Sequence, residues 1–105
     1  MVKLTVLYGH PDDPDAFEDY YANTHMPMVQ EIPNLLRYEA AKAVATPDGS
    51  EDGSEPPYYR TFEGYFEDME QLQSGMSSPE GQAASADIPN YATGGATIFI
   101  SEIDA

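Results

Sequence analysis

Two histidines, eight tyrosines and no cysteine set the range of chemistry open to this chain. His25 is the first candidate. It lies in YYANTHMPMVQEIP (residues 20–33), within a helical periodicity and two positions before Pro27. An imidazole with an ordinary pKa of about 6.5 takes up and returns a proton near neutral pH. Tyr21 stands one turn earlier on the same helical face, so His25 and Tyr21 form the candidate catalytic pair. Phe17 and Met28 share that face, and Tyr8, Tyr38 and Tyr65 on neighbouring strands would supply phenols. Together these five are the candidate binding residues, walls of a cavity suited to a small aromatic or polyketide-like molecule. A structural reading competes. Pro27 leaves the Asn23 carbonyl without its helical donor, and the His25 ring would hydrogen-bond that carbonyl instead.

The other polar clusters carry less. His10 sits in GHPDDPD with Asp12, Asp13 and Asp15, but no defined metal motif has this spacing, and acidic residues suit a helix N-terminus. Asp48, Ser50, Asp52 and Gly53 match the start of a calcium-binding EF-hand loop. The match fails at Glu55, where an apolar residue belongs, and at Tyr59, which replaces the bidentate glutamate. No metal site is expected. Phosphate-binding loops, G-x-S-x-G and H-E-x-x-H are absent. No cofactor is required, although His25 would serve as a haem ligand if one were bound.

These residues need elements to position them. VKLTVLY (2–8) alternates and reads as a strand. Asp13-Pro14 is a helix start, an N-cap followed by proline at the first helical position. Phe17, Tyr20, Tyr21, Thr24, His25, Met28, Val29 and Ile32 then recur at helical steps. Pro27 should kink or break this helix around residues 24–27 and push Met26 out of the α region. LLRYEAAKAVAT (35–46) reads as a second strand, with a helix as the alternative because of its alanines. Residues 47–57 read as a loop, and YYRTFEGYF (58–66) as a strand. Met69, Leu72 and Met76 have helical spacing. Ser77 and Glu80 have the spacing of a capping box for another helix. ATIFISEI (96–103) is the last strand.

The order is β-α-β-β-α-β. The expected fold is α+β and ferredoxin-like, a four-stranded antiparallel sheet with its helices on one face, in a single domain over residues 1–105. Both registers of the strands carry apolar residues: Leu4, Val6 and Tyr8 against Leu7, and Phe62 and Phe66 against Tyr59 and Tyr65. A sheet apolar on both faces calls for a second layer, most simply a second copy packed sheet to sheet as a homodimer. A chain of 105 residues buries only about 60–70% of its unfolded surface, so such pairing would thicken a thin core.

Nineteen acidic residues against four basic ones give a formal net charge of −15. Nucleic acid and anionic membranes are excluded as partners, since both need a basic surface. With 41% hydrophobic residues and twelve aromatics, eight Tyr and four Phe, the chain can still build a core. Self-repulsion of this size is tolerable where salt shortens the Debye length to roughly 3 Å, so the composition points to a salt-rich cytoplasm. The chain shows no charged-then-apolar leader and no apolar run of membrane-spanning length. The expectation is a soluble cytoplasmic protein.

The stretch from Phe17 through Tyr20, Tyr21, His25 and Pro27 into IPNLLRYE (32–39) resembles the EthD family of the dimeric α/β-barrel superfamily. The second half, from YYRTFEGYF to the helix restart at Ser78-Pro79-Glu80 and the acidic-then-aromatic DIPNY (87–91), is similar to that family too. The resemblance implies a homodimer with one pocket per subunit, between helices and sheet, and marks His25, with Pro27 beside it, as the family's helix-one histidine. The namesake is associated with ether degradation, and structural cousins include isomerases, polyketide cyclases and monooxygenases. The expected function is therefore acid–base chemistry on a small ligand. Non-catalytic binding and a purely structural dimer are the alternatives.

Overall fold

The computed structural model describes residues 1–47 and 56–104. Most of the acidic segment read as a loop, including the candidate calcium ligands from Asp48 to Glu55, lies outside the described residues. Four strands, β1 (Val2–Tyr8), β2 (Arg37–Lys42), β3 (Arg60–Phe66) and β4 (Ala96–Glu102), form one sheet in the order β2-β3-β1-β4. Every pairing is antiparallel, with Val6 opposite both Phe62 and Ile98. This is the ferredoxin-like arrangement. The segment 35–46 is a strand at its centre, so the helix alternative falls. No helix of the described residues is long and apolar enough to cross a membrane.

Between β1 and β2 the chain is helical without a break from Pro14 to Val29. Helix α1 (Pro14–Tyr20) is capped by Asp13, whose side chain accepts the Ala16 N–H at 3.2 Å. A π-helical turn follows (Tyr21–His25), and then a short helix α2 (Met26–Val29). The expected break is absent, and residues 24–27 stay helical. The Met26 N–H bonds back five residues to the Tyr21 carbonyl, and Met26 itself is helical, with φ −61° and ψ −35°. The widened turn gives the Pro27 ring room inside the helix, which an ordinary turn would not. It also resets the helical face. In an α-helix each step of four overshoots by about 40°, yet Phe17, Tyr21, His25 and Val29 are all buried. Thr24, placed on the inner face by its spacing, is exposed.

The second half repeats the pattern. Helix α3 (Met69–Ser77) is capped by Asp68, and helix α4 (Pro79–Asp87) by Ser78 rather than by Ser77. Pro79 holds Ser78 extended (ψ 161°), which makes Ser78 the residue just outside the helix. Its hydroxyl accepts the Gly81 N–H at 3.0 Å and donates to the Gly75 carbonyl at 2.5 Å. A 3₁₀ turn (Ile88–Asn90) then leads towards β4, entered through Gly95 at φ +89°.

All helices lie on one face of the sheet. The larger core cluster joins Val6, Tyr8, Phe62 and Tyr59 to Phe17, Tyr21, Val29 and Tyr91; a smaller one holds Val2, Phe66 and Leu72. Leu4, Ile32 and Leu35 touch both. The opposite face is more polar than the sequence suggested. Tyr59 turns to the helix side, 5.1 Å from the Phe17 ring. Tyr65 stays on the open face and donates to Glu39 and Glu63, with the Arg37 guanidinium 3.8 Å from its ring centre. Lys3 pairs with Glu63 beside it. Leu7, half-buried, and Phe99, 46% exposed, are the large aliphatic and phenyl side chains of that face.

Candidate functional site

His25 is only 4% exposed, and its partner comes from the other half of the chain. Its Nδ1 lies 3.0 Å from Oδ2 of Asp87, the last residue of α4. Asp87 Oδ1 in turn accepts from the Tyr20 hydroxyl at 2.5 Å and from Asn90 Nδ2 at 3.0 Å. Burial alone would raise the pKa of Asp87, but the hydrogen bonds from Tyr20, Asn90 and His25 outweigh it and hold the carboxyl below its usual range. Burial lowers the His25 pKa, and Asp87 opposes this only in part, so the imidazole is neutral at pH 7. An ionised carboxylate can only accept, which puts the single ring proton on Nδ1. Nε2, on the far side of the ring, keeps its lone pair.

His25 lines a cavity of about 60 Å³ between the helices and the sheet. Its walls are almost all apolar, with Leu4, Val6, Val29, Phe62 and Ile88 among them, and Tyr8 and Ser85 add hydroxyls. The volume holds a few waters or the reacting end of a small ligand. Beside it stand the aromatic rings. Tyr21 stacks on His25 at 5.7 Å, and Tyr91 tilts against His25 at 4.7 Å. The Tyr8 and Tyr91 hydroxyls are 2.6 Å apart, one donating to the other. The Tyr21 hydroxyl, also buried, has no hydrogen-bond partner among the described residues. Burial pushes the Tyr8 phenol up to about 12 and those of Tyr21 and Tyr91 higher still, so all three remain protonated donors. Above Tyr21 the Arg60 guanidinium sits 4.9 Å from the ring centre, held by Glu18 through contacts of 2.6 and 3.2 Å.

The structure gathers only part of the residue set expected from sequence. His25 and Tyr8 line the cavity. Tyr21 packs behind them. Phe17 is core and faces a different hollow, shared with Asp12, Asp13, Tyr20 and Tyr91. Tyr38 is on the helix side but outside the cavity, stacked on Phe62 with its hydroxyl accepting from Gln30. Met28 is half-buried, away from the cavity wall. Tyr65 faces the opposite side of the sheet, because the register pairs it with Lys3 and Arg37 rather than with core residues. The Asn23 carbonyl is not the partner of His25. His10 is exposed, with Nε2 2.7 Å from the Pro56 carbonyl, and among the described residues no cluster of acidic and histidine side chains could hold a metal.

Asp87, Asn90 and Tyr91 were not anticipated. One signal pointed at Asp87: a carboxylate in the last turn of a helix opposes the macrodipole and needs a compensating partner.

With this geometry in place the comparisons with known proteins become informative. The EthD domain model matches residues 10–95. The chain belongs to the EthD family. An uncharacterised 11.0 kDa protein from the thcB–thcC intergenic region of Rhodococcus erythropolis is 39% identical over 102 residues, 97% of this chain and 94% of the relative. A crystal structure of an EthD family protein from Bacillus halodurans C-125 superposes with a TM-score of 0.89 at 36% identity, covering 99% of both chains. A dimeric ferredoxin-like protein of unknown function from Thermobifida fusca YX shares the fold, with a TM-score of 0.70 at 14% identity over 97% of this chain and 90% of that one. In this EthD chain both members of the histidine–carboxylate pair fall inside the matched residues, and so do Tyr20, Tyr21, Asn90 and Tyr91.

Proposed function

We propose that this protein binds a small, weakly polar molecule beside His25 and that His25 Nε2 acts on it as a general base. The supporting observation is the fixed tautomer: Nδ1 is engaged by Asp87, and the ring lines an otherwise apolar cavity. A neutral imidazole in such a place accepts a proton from a carbon or oxygen acid, and the Tyr8 and Ser85 hydroxyls in the cavity wall, with Tyr21 packed behind, would serve the oxygen that gains charge. Positioned proton transfer of this kind is worth about 10²–10⁴-fold in rate. A cavity of about 60 Å³ would take only the reacting end of a small aromatic, lactone or polyketide-like compound, with the rest of the molecule outside it.

The test needs no prior substrate. Imidazole NMR spectra across pH, in molar salt, compare His25 with exposed His10 while small aromatics, lactones and haem are added. A ligand that shifts His25 and not His10 names the substrate class, after which His25→Ala should abolish turnover with the fold intact. Unchanged turnover in that variant removes the catalytic role.

One observation favours a second reading. The His25–Asp87 pair ties the first helical segment to α4, and Asp87 carries two further hydrogen bonds, so the pair would serve stability alone. In that case His25→Ala lowers stability and no ligand moves either histidine.

We also infer a homodimer built on the open sheet face, through Leu7, Phe99 and the Tyr65 network. Support comes from the exposure of Phe99 and from the description of the Thermobifida fusca protein as dimeric. The charge of −15 supports a salt-rich cytoplasm as its setting.

A further inference from the structure

The cavity beside His25 does not end at its own walls. Ile98 of β4 lines it and is 49% exposed, and Ile100, on the same side of β4, is 42% exposed. The register places Ile98 opposite Val6 and Ile100 opposite Leu4, so both point to the helix side of the sheet. Helical cover fades from β1 to β4: Val6 is 3% exposed, and Ile98 opposite it is half exposed. The helix that should cover them is α4, whose sequence is PEGQAASAD. It turns Gly81 and Ala84 inward and contributes only Ala84 and Ser85 to the cavity wall. Small residues on α4 and branched ones on β4 leave a narrow apolar trough that runs out of the cavity.

We propose that this trough binds the apolar tail of an uncharged amphiphilic ligand whose polar head lies at His25. The inference rests on the reading of the His25 cavity as a ligand site and specifies the kind of molecule it takes. Continuity carries it: one wall residue, Ile98, belongs both to the cavity with the imidazole and to the exposed strip. The dimensions agree. Ile98 and Ile100 are two residues apart, roughly 7 Å along a strand, and the strip stops at Ala96 on one side and Glu102 on the other. That suits a short hydrocarbon chain, and two isoleucines are far fewer than the roughly 20–30 residues a side of a stable protein interface. The head group is neutral because the cavity wall, almost all apolar, disfavours an ion of either sign, and acidic residues nearby repel an anion further. Glu80 and Asp87 on α4 and Glu102 on β4 belong to the elements that form the trough, and the chain carries −15 overall.

The experiment is a titration of the intact protein with neutral 2-alkanones of increasing chain length, read from the His25 imidazole signals. Each added methylene should tighten binding by about fourfold until the chain passes Ile100. The double substitution Ile98→Ser and Ile100→Ser, at exposed positions, should flatten that dependence and leave the shortest ketone bound as before. Affinity independent of chain length, an unchanged slope in the double variant, or no binding by any member overturns the proposal. So does a shift in sedimentation from dimer to monomer in the double variant, which would make the strip a subunit contact. The two readings fail separately. Short ketones that move His25 with a flat length dependence leave the base in place without the trough. A steep dependence together with unchanged turnover in His25→Ala leaves the trough without the base.

Discussion

His25 Nδ1 and Asp87 Oδ2 meet at 3.0 Å across 62 residues of sequence, one at the end of the π-helical turn and the other at the end of α4. The contact joins the two βαβ halves, from within the first helical segment to the last residue of α4. Sequence repeats there as well: Glu31-Ile32-Pro33-Asn34 ahead of β2 and Asp87-Ile88-Pro89-Asn90 ahead of β4. In the first half the chain spends this position on a surface glutamate. In the second it buries an aspartate and surrounds it with three donors.

Asp87→Asn tests what that carboxylate does to the imidazole. Asp87 is the contact that raises the His25 pKa against the burial that lowers it. With a neutral amide in its place the His25 pKa should fall further below 6.5, and ¹⁵N shifts should show loss of the Nδ1–H tautomer as the dominant form. A ring that keeps both its pKa and its tautomer in the variant would mean that Asp87 only fills space.

The same pair sets an acid limb in the stability curve. Both groups have folded-state values below their ordinary ones, so in each case the unfolded chain binds protons more readily. Their contribution is therefore complete above an unfolded histidine value of about 6.5. It falls as pH drops through the folded value of His25, and again through that of Asp87. Denaturation midpoints should be flat from pH 8 to 7 and decline below about 6.5, and His25→Gln should remove the upper part of that decline. A midpoint that rises as the pH drops from 7 to 5 contradicts the direction for His25, and one that rises as the pH drops below an unfolded aspartate value of about 3.9 contradicts that for Asp87.

How far the sequence led is clear from individual residues. The order of elements was legible because each segment kept one period: two for VKLTVLY, helical for Phe17 to Val29. The pocket histidine was legible as a polar residue on an apolar face. Pro27 misled because a single breaker says nothing about a π turn, which depends on how the whole segment packs. Tyr65 was assignable in principle: it lies an odd number of residues from Phe62 and Phe66, so a period of two already sends it to the other face. Tyr59 escaped that rule because it precedes β3, where strand alternation no longer binds. Asp87 could not be paired with His25 from sequence, since nothing local reports a contact between the interior of one helix and the end of another.

Tyr21→Phe separates packing from polarity in the aromatic cluster. The Tyr21 hydroxyl is buried and unpartnered among the described residues, so removing it relieves a desolvation cost at little loss of contact. Stability should be unchanged or higher by up to about 1 kcal/mol, while affinity for a ligand bearing a hydrogen-bond acceptor should fall. Tyr8→Phe is the control, because it breaks the 2.6 Å bond to Tyr91 and should cost about 1–3 kcal/mol. Equal losses in the two variants would mean that the Tyr21 hydroxyl has a partner in solution.

The last prediction concerns salt. Nineteen carboxylates against four basic side chains repel one another in dilute buffer, and two of them, Glu39 and Glu63, share the open sheet face proposed for the dimer. Raising salt from 0.1 M to 1 M shortens the screening length from about 10 Å to about 3 Å. That weakens the diffuse repulsion more than the close pairs, such as Arg60 with Glu18 at 2.6 Å and Lys3 with Glu63 at 3.2 Å. Thermal midpoint and dimer fraction should therefore rise together over this range, followed by calorimetry and by analytical ultracentrifugation. Substituting Glu39 and Glu63 by Gln should bring the low-salt dimer fraction part of the way towards its high-salt value. A dimer fraction that rises with salt but ignores these two substitutions would move the interface to another face. Stability that falls with added salt would mean that the close pairs outweigh the diffuse repulsion, and the salt-rich setting would go with it.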